Sequence, residues 1–90
     1  MRTTLNYRII VNKEEQKKGE YLFVAYAPTL GISDFGKTPE KATDNILKAI
    51  KLYIESLNEL GKPIPQPDEE EYFVTSRKVT IESPIKNFAY

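Results

Sequence analysis

The side chains best suited to chemistry in this chain are its carboxylates. Asp34, Asp44 and the run Asp68, Glu69, Glu70, Glu71 carry the oxygen donors that hold magnesium or manganese in metal-assisted phosphodiester hydrolysis, provided that several converge on one point. Their placement argues against convergence. Asp34 stands alone in a predicted strand, Asp44 lies on the polar side of a predicted helix, and 68–71 falls on a connection, so these acids read as solvated charge. The chain contains no histidine and no cysteine, which removes the usual general base at neutral pH, the commonest metal ligand, a thiol nucleophile and any disulfide. The rings of Tyr21, Phe23, Tyr26, Tyr72, Phe73, Phe88 and Tyr90, with Arg77 and Lys78, suggest a second chemistry, the stacking of single-stranded nucleic acid. Thirteen basic residues against thirteen acidic ones leave zero net charge and no field to attract a phosphate backbone, so the rings read as core or subunit interface. The expectation is a protein with no catalytic residue, no cofactor and no metal.

The elements that position these residues are organised around 38–61, TPEKATDNILKAIKLYIESLNELG. Ala42, Ile46, Ala49, Ile50, Tyr53, Leu57 and Leu60 recur at helical spacing, with Leu47 and Ile54 on the flank and Lys41, Asp44, Lys48, Lys51, Glu55 and Glu59 opposite. Thr38 is the N-cap, Pro39 occupies the first helical position, Glu40 faces the positive end of the dipole, and Gly61 closes the helix before Pro63. The stripe needs a sheet to lie on. Residues 5–11 alternate, with Leu5, Tyr7, Ile9 and Val11 on one face and Asn6, Arg8 and Ile10 on the other, as in a strand with one buried face. Residues 12–20 are polar and read as a long connection, 21–27 (YLFVAYA) as a central strand apolar on both faces, and 32–35 as a short third strand. The proline-rich 62–67 crosses the surface, and 72–81 is a fourth strand with Val79 and Ile81 on one face and Tyr72 and Val74 on the other.

This order predicts one domain over 1–90, with a core at 4–82 and a tail at 83–90. The fold class is α+β, a small antiparallel sheet of three to four strands with one long helix packed on it. MRTTLNYRII contains no apolar run of signal-peptide length, and no stretch approaches a membrane span, so a cytoplasmic protein is expected. Partner binding falls to two surfaces. Leu22, Val24 and Tyr26 form the side of the central strand that one helix cannot cover, while Phe73, Val79, Ile81, Ile85 and Phe88 can extend a sheet to another chain. A homodimer or larger homo-oligomer is therefore expected.

Three stretches in this order are similar to the HicB-like antitoxin family. Glu20 and Tyr21 through Pro28 resemble the family's G-x-[YF]-x-[VA]-x-x-P-like strand, Thr38-Pro39-Glu40-Lys41-Ala42 its T-x-E-E-A helix start, and Gly61-Lys62-Pro63-Ile64-Pro65 its G-x-P-[IL]-P exit. The resemblance spans 7–67. It implies a β-β-β-α-β, truncated ribonuclease H-like fold and a non-enzymatic antitoxin that masks a small HicA-type toxin, which cuts messenger RNA. An orphan binding module of the same fold is the alternative. The turn before the helix departs from the family pattern, with Leu30-Gly31-Ile32-Ser33-Asp34-Phe35-Gly36-Lys37 in place of a P-G-[CL] turn. Many relatives also append a DNA-binding helix-turn-helix or ribbon-helix-helix. The nine residues 82–90 that follow the predicted fourth strand are too few for one, and direct DNA binding is not expected.

Overall fold

A computed structural model describes residues 1–69 and 74–89. Three antiparallel strands, β1 (Ile10–Glu15), β2 (Tyr21–Ala27) and β3 (Ile32–Gly36), form a meander in the order β1-β2-β3, and one helix, α1 (Pro39–Glu59), packs across it. This is the expected α+β architecture. Register pairs Val11 with Ala25 and Glu15 with Tyr21 in the first hairpin, and Val24 with Phe35 and Ala27 with Ile32 in the second.

The first hairpin is tighter than its polar sequence suggests. The strand runs on through Asn12, Lys13, Glu14 and Glu15, and the turn is confined to a 3-10 segment at Lys17–Gly19, with Lys18 at φ 64° and Gly19 at φ 74°. An edge strand faces water along one side and accommodates charged residues, which is why the run 12–15 pairs instead of looping. Residues 5–9 lie before β1 rather than within it, although Tyr7 and Ile9 still pack against the core.

The helix keeps both of its predicted ends. Thr38 Oγ1 accepts the Lys41 N–H at 3.0 Å, and Gly61 takes φ 68° while Lys62 N–H donates to Leu57 O at 2.9 Å. Its buried line is Ala42, Ile46 and Ile50, continued by half-buried Ile54, so Ile54 belongs to the stripe rather than to its flank. Tyr53, one residue off this line, and Leu60, just past the last helical residue, are exposed. The core is thin: Ala25 and Ala27 of β2 meet Ala42, Ile46 and Ile50. Small side chains on both elements bring the helix close to the sheet. The approach is tight at Gly36, where a Cβ would stand 2.6 Å from Ala42 N.

The expected fourth strand does not form where it can be seen. Residues 74–81 have no strand pairing, while Tyr72 and Phe73 lie outside the described residues. A strand is defined by its partner, and 74–81 has none among the described residues. Val74, Val79, Ile81, Ile85 and Phe88 are all exposed.

Candidate partner-binding face

Alternation along β2 divides the sheet into two sides. Phe23, Ala25 and Ala27 point to the helix, and Leu22, Val24 and Tyr26 point away from it. Register then assembles the second side. Ile10 and Ser33 flank Tyr26, Asn12 and Phe35 flank Val24, and Glu14 lies beside Leu22. Leu22 and Val24 are half-buried by these neighbours, whereas Tyr26 remains 42% exposed and Phe35 57%. The result is an apolar strip of Ile10, Leu22, Val24, Tyr26 and Phe35 with Glu14 at one end and Arg8, ahead of Ile10, at the other.

Two members of this strip were not among the sequence candidates. Alternation alone puts Ile10 on the polar side of the first strand with Asn6 and Arg8, and it gives Phe35 no role beyond membership of the short third strand. The parity of Phe35 against Val24 is the signal that identifies it, and it needs the register of a neighbouring strand to be read. The second group of candidates is not brought to this face. Val79, Ile81, Ile85 and Phe88 are exposed on 74–89, and Phe73 lies outside the described residues.

One carboxylate has a defined job. Asp68 Oδ2 accepts the Arg8 N–H at 2.7 Å and its Oδ1 accepts the Thr29 hydroxyl at 2.6 Å, while Asp68 N–H donates to Asn6 O at 2.8 Å. Nearby, the Tyr7 hydroxyl donates to Pro65 O at 2.6 Å. Together these bonds clasp the proline-rich return to the segment just ahead of β1. The backbone bond from Arg8, then the Thr29 hydroxyl, hold the Asp68 carboxyl below its ordinary value of 3.8. Burial, and then the Asp68 charge, push the Tyr7 hydroxyl above its ordinary value of 10.0.

The sign of the acid effect follows. A carboxyl whose pKa is lowered on folding stabilises the fold above its unfolded value, and that contribution is lost as pH falls through the lowered one. Wild-type protein is therefore expected to exceed Asp68→Asn in stability at pH 7. The gap should close as pH drops below 3.8. Urea titrations of both proteins across that range are the check, and a gap that stays constant with pH would refute the assignment.

Two other candidate acids, Asp34 and Asp44, stand apart from this clasp. Asp34 Oδ1 accepts the N–H of its own neighbour Phe35 at 2.8 Å, and Asp44 is exposed on the helix. Among the described residues no three of the His, Cys, Asp and Glu side chains gather where a metal ion could be held.

Comparison with known proteins places the chain among relatives. The protein UPF0150 Ta0767 of Thermoplasma acidophilum is 37% identical over 71 residues, a match covering 78% of this chain and 97% of the relative. The chain belongs to the UPF0150 family. A second UPF0150 protein, ssr1765 of Synechocystis, is 42% identical over 64 residues, covering 70% of this chain and 76% of that protein. No protein-family model matches this UPF0150 chain, and no solved structure matches it. Among its described residues no helix is long and apolar enough to cross a membrane.

Proposed function

We propose that this UPF0150 protein is a HicB-like antitoxin, a non-enzymatic cytoplasmic protein that neutralises a small basic HicA-type toxin by covering it. The observation that carries the reading is the open side of the sheet, where Ile10, Val24, Tyr26 and Phe35 form an apolar strip that the helix leaves uncovered. Contiguous exposed apolar surface with a charged rim is the usual mark of a protein-binding site. Its flat, aromatic centre suits masking, because burial of two rings supplies contact area without any chemistry from this chain. The sequence resemblance over 7–67 supports the same reading and supplies the class of partner.

The test is co-expression of tagged protein with the product of the adjacent reading frame, which this reading requires to be small and basic, followed by pull-down and a growth assay. Co-purification with rescue of growth is expected. Tyr26→Lys combined with Phe35→Lys should abolish both while leaving the fold intact, since both side chains are exposed. A folded wild-type protein that fails to bind would favour an orphan module of the same fold. Retained binding by the double variant would refute the assignment of this face.

A further inference from the structure

The two outer edges of the sheet are not equivalent. On β3, Phe35 O accepts a bond from Asn45 Nδ2 of the helix at 2.8 Å, so part of that edge is already engaged. On the β1 side the return through Asp68 bonds Asn6 and Arg8, and among the described residues none pairs with the outer edge of Ile10–Glu15. An open edge is a template for another strand. The same chain carries an unpaired segment with the composition of a strand, 74–82, Val-Thr-Ser-Arg-Lys-Val-Thr-Ile-Glu.

We propose that 77–81 of one copy pairs antiparallel with β1 of a second copy, and reciprocally, so that two chains exchange arms. One register satisfies every opposed pair: Val11 with Ile81, Asn12 with Thr80, Lys13 with Val79, Glu14 with Lys78, and Glu15 with Arg77. Two cross-strand ion pairs and one aliphatic pair result, with no like charges opposed. Alternation then sets Val79 and Ile81 on the helix side beside Val11, and Lys78 and Thr80 on the opposite side.

The chain's own arm cannot make this pairing. Val74 lines one hollow with Asn6, Arg8 and Ile10, so the arm begins at the Ile10 end of β1. From there three residues, about 10 Å, must reach Glu15, about 17 Å away at 3.4 Å per residue. Running parallel instead, the chain's own arm would set Arg77 against Lys13 and carry Ile81 past the end of the strand. A second copy related by a twofold axis has neither problem, because its Ile10 end lies at the Glu15 end of the first. The two arms then lie side by side between the two β1 strands, Val79 facing Val79.

Four experiments on this chain decide it, and none depends on a toxin. Sizing and sedimentation should give twice the chain mass of 10.4 kDa. Glu14→Lys with Glu15→Lys should weaken the dimer roughly tenfold or more, and adding Arg77→Glu with Lys78→Glu to that variant should restore it. Because the protein lacks cysteine, mixing Val11→Cys with Ile81→Cys should yield a disulfide-linked pair of chains on oxidation. Val79→Pro, in a segment that makes no strand pairing among the described residues, should give a monomer with unchanged circular dichroism. A wild-type monomer at about 100 µM, well above the micromolar dissociation constants of weak specific dimers, would overturn the exchange. So would a Val79→Pro dimer of undiminished affinity.

Discussion

Gly36→Ala is expected to destabilise the domain by about 3 kcal/mol, the upper part of the range for overpacking a tight contact. The added Cβ would lie 2.6 Å from Ala42 N, 2.8 Å from Lys41 C and 2.9 Å from Lys41 Cβ. Two of these three atoms are helix backbone, which cannot rotate aside as a side chain can. Relief requires the first turn of α1 to rise from β3, and Ala42 and then Ile46 would lose contact with Ala25 and Ala27. A domain of this size has roughly 5–13 kcal/mol of stability in total, so the loss is a large fraction of the whole. Denaturant titration should show a clearly lower midpoint at an unchanged slope, with a melting temperature lower by roughly 10–20 °C. An unchanged midpoint would mean that helix and sheet are farther apart than described.

Ile46→Ala should have a comparable effect for the opposite reason. Ile46 is 0% exposed and, among the described residues, is the one large side chain in the core with no measurable surface, so truncation leaves a cavity between helix and sheet. Burying an isoleucine and then removing it costs about 2–5 kcal/mol, and the tight walls of Ala25, Ala27 and Ala42 leave little to collapse inward, which favours the middle of that range or above. Leu52→Ala is the matched control. Leu52 lies on the same helix but is 68% exposed, and its truncation should change stability by less than about 0.5 kcal/mol. Equal losses from the two variants would show that the helix packs through a different face.

The features legible in the sequence were those decided locally. Thr38, Pro39 and Gly61 act within one turn of themselves, so the helix ends were readable without any tertiary information. Features that depend on a neighbour were less accessible. The polar run 12–15 reads as a loop because its charge says nothing about the strand it pairs with, and periodicity alone sets Ile54 off the stripe because the line along which a helix touches its sheet depends on tertiary packing. Residues 74–81 carry the β-branched pattern of a strand, but pattern does not supply a partner. The candidate face was half legible. Leu22, Val24 and Tyr26 followed from an apolar run too broad for one helix to cover, whereas Ile10 and Phe35 join them only through the register of the flanking strands.

The clasp at Asp68 differs from every other part of this fold in how far apart along the chain its members lie. The strand pairings join neighbours in a meander, and the helix follows directly, so these pieces can assemble as soon as their own residues are available. The bond from Arg8 to Asp68 spans 60 positions, and the bond from Tyr7 to Pro65 spans 58. Closing so long a loop is entropically costly and is rewarded only after both ends are already positioned. The meander and helix therefore form first and the clasp closes last. By the same logic it is the first to open, giving this small domain a seam at which the chain ends part from the sheet while the centre stays folded.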